Sequence, residues 1–136
     1  MTALIVDVAN VVGSRPDGWW RDRAGAATRL LGRLAALPGV PLSGPDGPVR
    51  CDEVVAVVEG RARDVPAPDG VRVVRAAGSG DDALVGQAAE LAARGVPLLV
   101  VTADRGLRDR LPAGAAVAGP GWLLAQLDLL DGPPPA

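Results

Sequence analysis

The sequence predicts an α/β protein with a mostly parallel central sheet of about five strands, flanked on both faces by helices. Short apolar runs alternate along the chain with segments of helical periodicity. The runs are apolar throughout, as expected for strands buried on both faces. The 136 residues, 49% of them hydrophobic, suffice for one compact domain and are too few for two ordinary ones. We expect a single domain over residues 1–131 and a loose, proline-rich tail over 132–136.

In the first part of the chain, residues 3–8 (ALIVDV) are predicted to form a buried strand. Glycines and a proline in residues 10–18 predict a loop. The spacing of leucine and alanine predicts a helix over 22–37, which a Pro-Gly pair ends. Residues 38–52 are dense in proline and glycine and are expected to be irregular.

The second part repeats the alternation of strand and helix. Strands are predicted over residues 53–58, 71–74 and 97–102, and a helix over 81–94, closed by Gly95. The remaining elements are a short helix over 105–111, an edge strand over 115–117 and a last helix over 120–130, which opens on proline.

Several kinds of chemistry are excluded by composition. The chain has no His and no Lys, so a Ser-His-Asp triad, an imidazole ligand, a phosphate-loop lysine and a Schiff base are all ruled out. Cys51 is the single cysteine, which excludes an intrachain disulfide and a thiolate zinc site. Any reaction must therefore use carboxylates, arginine, hydroxyls, amides or a bound hard metal ion.

The N-terminus lacks a basic segment and carries an aspartate in its apolar run, so we do not expect a secretory signal. No stretch approaches the roughly 20 apolar residues of a membrane-spanning helix. We expect a cytoplasmic protein that does not act at a membrane. The net charge of −2 argues against a globally basic nucleic-acid binder and leaves a local arginine patch open.

Carboxylates follow the predicted strands at their carboxyl ends, where sheets of this class bind ligands. They are Asp7, Glu59, Asp81, Asp82 and Asp104. Together they would repel one another unless a cation lay among them, and oxygen ligands suit Mg²⁺ or Mn²⁺. The aspartates after strands three and four also fit helix caps, and Glu59 also fits a solvated loop residue. Asp7 is different, because a carboxylate inside an apolar strand opposes strand formation and desolvation.

These residues resemble the NYN branch of the PIN-like nucleases. The resemblance rests on D-x-x-N in the first strand (Asp7, Asn10), G-S-G-D-D before a helix and V-T-A-D-R after the fourth strand. It implies a Rossmann-like PIN fold and a Mg²⁺- or Mn²⁺-dependent ribonuclease in which Asp7, Asp81 and Asp104 are catalytic metal-binding acids. Asp82 and Glu59 complete the candidate ligand set. NYN sequences often have a second aspartate after the last acid, where this chain has Gly106 and Leu107.

Single-stranded RNA, the partner that the resemblance implies, needs positive charge and stacking surfaces near the acids. Residues 13–23 offer both, although one tryptophan of this loop can equally pack over the first helix. The candidate substrate-binding residues are Asn10, Thr102, Ser79, Arg15, Arg21, Arg23, Arg105 and Trp19.

Two other functions fit the same acids. A nucleotide phosphohydrolase would need a closed base pocket, which the sequence does not locate. A non-catalytic RNA-binding module would explain the missing second aspartate. A receiver domain is set aside because its late-strand lysine is absent. A homodimer and a regulatory protein partner stay open. The decisive expectation is geometric: Asp7, Asp104 and one of Asp81 or Asp82 should face one cleft.

Overall fold

A computed structural model describes residues 2–131, so the predicted tail at 132–136 lies outside the described residues. The strands are β1 (Thr2–Asp7), β2 (Pro41–Gly44), β3 (Gly47–Val58), β4 (Val71–Arg75), β5 (Leu98–Val101) and β6 (Ala116–Ala118). The helices are α1 (Val8–Val12), α2 (Arg23–Leu34), α3 (Gly80–Ala93), α4 (Arg105–Asp109) and α5 (Pro120–Leu130).

The strands form one sheet in which five run parallel, in the order β4-β3-β1-β5-β6. Strand β1 is central and pairs with β3 on one side and β5 on the other. The predicted α/β class with a mostly parallel, helix-flanked sheet is confirmed. The carboxyl ends of β1, β3 and β5 consequently lie at one edge, beside the N-termini of the helices that follow.

Each central strand is buried on both faces, which explains why the runs are apolar at every position. In β1, Leu4 and Val6 face the core beneath α1, α2 and α5, whereas Ala3 and Ile5 face the core beneath α3 and α4. Strands β3 and β5 divide their side chains in the same alternating way. The sheet is therefore the middle of three layers.

The expectation of an irregular segment over residues 38–52 was wrong, because strand β2 and the first part of β3 form an antiparallel hairpin there. Proline is tolerated because β2 lies at an edge of the sheet. The turn ends at Gly47, whose φ of 117° favours glycine. Leu42 is buried against the core, and the Trp122 indole donates a hydrogen bond to the Ser43 carbonyl at 2.7 Å.

The predicted loop over residues 10–18 was also partly wrong. Strand β1 ends at Asp7, and helix α1 begins immediately at Val8, so Asn10 is helical. A 3₁₀ turn over Trp19–Arg21 then leads to α2, which begins after its N-cap residue Asp22 and is shorter than predicted. The last helix has the predicted bounds. Among residues 2–131, no helix is long and apolar enough to span a bilayer.

Candidate active site

Asp7 lies at the junction of β1 and α1 and is 8% exposed. One of its carboxylate oxygens, Oδ1, accepts a hydrogen bond from the Asn10 backbone N–H at 3.4 Å and caps α1. The other, Oδ2, accepts from the Thr102 hydroxyl at 3.3 Å. Both oxygens thus face polar donors at the sheet edge while the rest of the strand is buried in apolar cores.

The Thr102 hydroxyl connects two of the predicted acids. Its oxygen also accepts a hydrogen bond from the Asp104 backbone N–H at 3.1 Å. Thr102 is fully buried and is placed to position Asp7 and Asp104, and its contact with substrate stays a prediction. Asn10 has a similar role: its side-chain oxygen accepts from the Ala103 N–H at 2.8 Å and joins α1 to the loop after β5.

Asp104 is the N-cap of α4, where its Oδ1 accepts from the Leu107 N–H at 3.1 Å. Asp104 is partly exposed. The capping interpretation of this residue is therefore correct, and it is compatible with a second role. Only one of the two carboxylate oxygens is engaged by the cap among the described residues.

Glu59 is held against the start of α3, since its Oε2 accepts from the Gly80 N–H at 2.7 Å. A Cβ atom at Gly80 would lie 2.8 Å from that carboxylate, so glycine permits the close approach. The alternative of a freely solvated Glu59 was wrong. The contact brings the end of β3 beside Asp81, the next residue of α3.

The four carboxylates of Asp7, Glu59, Asp81 and Asp104, which we call the acid cluster, act on one another electrostatically. Burial raises the pKa of Asp7 above its usual value, and the charges of Asp81 and Glu59 raise it further, against hydrogen bonds from Asn10 and Thr102 that lower it. Burial also raises the pKa of Asp81, followed by the charges of Asp104 and Glu59. The cluster is thus a region of concentrated negative potential.

Asp82 lies apart from this cluster. It forms an ion pair with Arg110 at 2.6 Å, and its side chain is 71% exposed. Of the two adjacent aspartates, Asp81 is therefore the one whose carboxyl interacts with Asp104 and Glu59.

The donors of the acid cluster are all oxygens, which suits Mg²⁺ or Mn²⁺. Within residues 2–131, however, no three acidic side chains converge into a group that would hold an ion by themselves. Mg²⁺ is commonly held by one or two carboxylates together with water and substrate phosphates. The predicted metal site stays a prediction on these grounds.

The predicted RNA-binding residues are divided by the structure. Arg15 pairs with Asp128 at 3.1 Å, on the side of α5. Arg21 lies over the Trp20 ring and Arg23 over the Trp19 ring, with 5.9 and 5.4 Å from guanidinium carbon to ring centre. Arg105 begins α4 and is exposed, and Ser79 is an exposed N-cap whose side chain makes no capping hydrogen bond.

A cavity of about 370 Å³ opens beside Glu59, between α1 and α2 on one side and the turn after β3 on the other. Trp19, Arg23 and Arg61 contribute to its lining. The sequence did not locate this pocket.

No family model and no curated protein matches the chain. Among solved structures it is similar to a mutant form of Rae1 (YacP) from Bacillus subtilis, with a TM-score of 0.67 and 19% sequence identity. The similarity covers 96% of this chain and 77% of Rae1. The two proteins share the α/β fold described above. At this identity the similarity shows the fold alone.

Sequence reasoning missed the positioning contacts of Thr102 and Glu59, and the cavity. Each depends on residues far apart in the chain, such as Thr102 and Asp7, which are separated by 95 positions. Gly80 is a local hint, since a glycine at a helix start permits the close approach of a carboxylate, but it does not identify Glu59 as the partner.

Proposed function

We propose that the chain is a Mg²⁺- or Mn²⁺-dependent ribonuclease of the NYN branch of the PIN-like nucleases, which hydrolyses phosphodiester bonds in single-stranded RNA. One observation carries the proposal: the acid cluster, in which Thr102 connects Asp7 to Asp104 and Glu59 holds the start of α3 beside Asp81. The shared fold with Rae1 supports it, because the cluster lies at the sheet edge where such folds bind ligands.

In this proposal Asp7, Asp81 and Asp104 would hold the ion together with water and the substrate phosphate, because these carboxylates do not form a complete site by themselves. The chemistry that Mg²⁺ or Mn²⁺ supplies when bound is a water of lowered pKa and neutralisation of charge on the phosphodiester. The chain itself fixes the ligands: the Thr102 hydroxyl orients Asp7 and the Asp104 backbone, and the Asn10 amide oxygen holds the adjacent loop. Such bonds keep ligating carboxylates in position.

Positive charge for the RNA strand would come from the exposed arginines Arg21, Arg23 and Arg105. Arg21 and Arg23 lie on tryptophan rings, and Arg105 follows Asp104 directly. Arginine and aromatic side chains together bind the phosphates and bases of a single strand. Arg15 contributes less in this view, because its guanidinium is paired with Asp128.

The test is cleavage of a labelled single-stranded RNA with Mn²⁺ or Mg²⁺, with EDTA as the metal-free condition. Asp104→Asn should abolish nearly all cleavage, because asparagine removes the ligand charge but still caps α4. Asp22→Asn is the matched control: Asp22 caps α2 through the Gly25 N–H at 2.9 Å and lies outside the acid cluster. Equal loss in both variants, or cleavage that survives EDTA, would contradict the proposal.

A nucleotide phosphohydrolase is the second candidate, and the cavity beside Glu59 favours it because that function needs a base pocket. Release of phosphate from free nucleotides with RNA left intact would identify this function. Salt-sensitive RNA binding without metal-dependent cleavage would instead identify the non-catalytic RNA-binding module.

A further inference from the structure

The cavity beside Glu59, which we call the Glu59 cavity, is mostly apolar and lies next to the acid cluster. One wall is formed by α1, whose first residue Val8 follows Asp7 directly. The opposite wall is the turn Gly60–Ala62. Its volume of about 370 Å³ lies at the lower end of the range of small-ligand sites.

We propose that the Glu59 cavity binds one unpaired nucleobase, with guanine preferred over uracil. The inference rests on the proposed function, since RNA and free nucleotides share the nucleobase as their recognition element. It goes beyond that function by assigning the base-binding site and its preference.

The lining fits the faces of a base. Val8, Ala9, Val12 and Ala27 present aliphatic surface, and Trp19 presents an indole. The Arg23 guanidinium lies 5.4 Å from the Trp19 ring centre, so an aromatic plane and a cationic group share one part of the lining. Bases of single strands bind by stacking on such aromatic and guanidinium groups.

The polar groups of the cavity fit the edge of guanine. Glu59 accepts from the Gly80 N–H through Oε2, and its Oε1 has no hydrogen-bond donor among residues 2–131. An ionised carboxylate only accepts hydrogen bonds, so it favours a base edge that carries several N–H donors. Guanine has an N–H and an amino group side by side, whereas uracil has a single N–H. Arg23 and Arg61 can donate to the guanine acceptors O6 and N7, as arginine does elsewhere.

The cavity adjoins the acid cluster, where the reacting phosphate would lie. Val8 of its lining follows Asp7, and Glu59 bonds to Gly80, the neighbour of Asp81. A nucleoside held in the cavity would therefore present its attached phosphate to the acid cluster. The base site and the acid cluster would then act on the same nucleotide.

The experiment is a titration of the protein with guanosine and uridine monophosphates in EDTA, followed by tryptophan fluorescence, so that binding is measured without turnover. We expect saturable quenching by the guanosine nucleotide and affinity about tenfold weaker for the uridine nucleotide, the size of a lost hydrogen bond to a charged group. A short oligouridylate and the same oligomer with one guanosine are titrated in parallel.

Two tryptophan variants form a matched pair. Trp19→Leu should abolish the quenching, because Trp19 lines the cavity. Trp20→Leu should preserve it, because Trp20 is 51% exposed and is not part of the lining. Val12→Phe, which places a larger side chain in the cavity, should weaken binding by about tenfold without unfolding the protein. Equal effects of the two tryptophan variants would overturn the proposal.

Glu59→Gln tests the preference. The glutamine oxygen can still accept from the Gly80 N–H, but its other terminus donates instead of accepting. The affinities for the guanosine and uridine nucleotides should therefore become nearly equal. Both nucleotides should still quench the fluorescence of Trp19. An unchanged preference would exclude Glu59 as the group that selects the base.

Comparing the affinities of the free nucleotides with those of the oligomers shows whether the bound base belongs to RNA or to a free nucleotide. Tight binding of the guanosine-containing oligomer with weak binding of the free nucleotide supports a base delivered by RNA, whereas equal affinities support a nucleotide site. Absence of saturable binding by both overturns the inference. Cleavage that proceeds equally well in Trp19→Leu and on RNA without guanosine would overturn the inference and leave the ribonuclease intact. Base binding without any cleavage of RNA would support the base site and contradict the ribonuclease.

Discussion

At the scale of single residues, Asp7 has an unusual environment, because its carboxylate is buried at the end of an apolar strand and is acted on by the charges of two other acids. Burial, and then the charges of Asp81 and Glu59, raise the pKa of Asp7 above its usual value of 3.8. The folded protein consequently binds this proton more tightly than the unfolded chain does. The contribution of Asp7 to stability is greatest below pH 3.8 and is lost as the pH rises through the raised pKa.

Asp7→Asn should therefore keep or raise the stability of the metal-free protein at neutral pH. Asparagine removes the charge, and its side-chain oxygen can still accept from the Asn10 N–H. Urea unfolding in EDTA at several pH values measures the effect. The advantage over the unsubstituted protein should disappear at pH values below 3.8, where Asp7 is protonated in both folded and unfolded states.

Asp82→Asn is the control for this prediction, since Asp82 is exposed and paired with Arg110. It should show no gain at neutral pH, because it removes an ion pair rather than a buried charge. A large loss of stability in Asp7→Asn would instead mean that the hydrogen bonds of Asp7 matter more for folding than its charge does.

Residue patterns predicted the acids but not their supports. Asp7 was identifiable because it interrupts an apolar run, and Asp104 because it follows one. The hydrogen bonds of Thr102 to Asp7 and of Glu59 to Gly80 could not be predicted, because each depends on the order of the strands in the sheet. A threonine and an aspartate 95 residues apart are brought together only by the pairing of β1 with β5.

At the scale of elements, the start of α3 depends on the contact between Glu59 and Gly80. A carboxylate at a helix N-terminus satisfies a free N–H group and interacts favourably with the helix dipole. The side chain of Ser79, the N-cap residue, makes no capping hydrogen bond. The carboxylate of Glu59, at the end of β3, instead accepts the hydrogen bond from the first N–H of the helix.

Gly80→Ala and Gly86→Ala test this contact within one helix. Gly86→Ala should raise stability by about 0.5–1 kcal/mol, because a Cβ there meets no other atom and alanine favours helix. Gly80→Ala should gain less or lose stability, because its Cβ would displace the Glu59 carboxylate and remove a hydrogen bond of about 1.5–3 kcal/mol. Denaturant unfolding of both variants measures the difference. An equal gain in both would contradict the capping role of Glu59.

The hairpin of β2 and β3 shows a limit of composition as a guide to elements. Prolines and glycines usually indicate irregular chain, and here they lie in the hairpin that the edge strand β2 forms with the first part of β3, and in its turn. The buried Leu42 and the bond from Trp122 to Ser43 stabilise the hairpin through tertiary contacts. Those contacts join distant parts of the chain, so the local sequence does not predict them.

At the scale of the whole molecule, the sheet brings the acids of four distant segments to one edge. The parallel order β4-β3-β1-β5-β6 places the carboxyl ends of β1, β3 and β5 side by side. This much was predictable, because strands that are apolar at every position must lie between two layers of helices. The distribution of arginines around that edge was not, since it depends on how the loops fold back.

The placement of the arginines on the surface leads to a prediction about RNA binding. The double variant Arg21→Ala with Arg23→Ala should weaken binding of single-stranded RNA and lower the salt dependence of the affinity. The logarithmic slope should fall by about 0.7 for each phosphate that the protein no longer neutralises. Arg15→Ala is the matched control. It should leave the slope nearly unchanged, because the Arg15 guanidinium is paired with Asp128 at 3.1 Å.

Affinity measured in EDTA over a series of salt concentrations separates two models of RNA binding by this acidic protein. If Arg21 and Arg23 form a local cationic surface, the double variant loses affinity mainly at low salt, and its slope falls while that of Arg15→Ala does not. If RNA responds only to net charge, every arginine contributes alike, and Arg15→Ala loses about half as much as the double variant. The net charge of −2 makes the first outcome the expected one, because a protein that is acidic overall can attract a polyanion only through a local excess of positive charge.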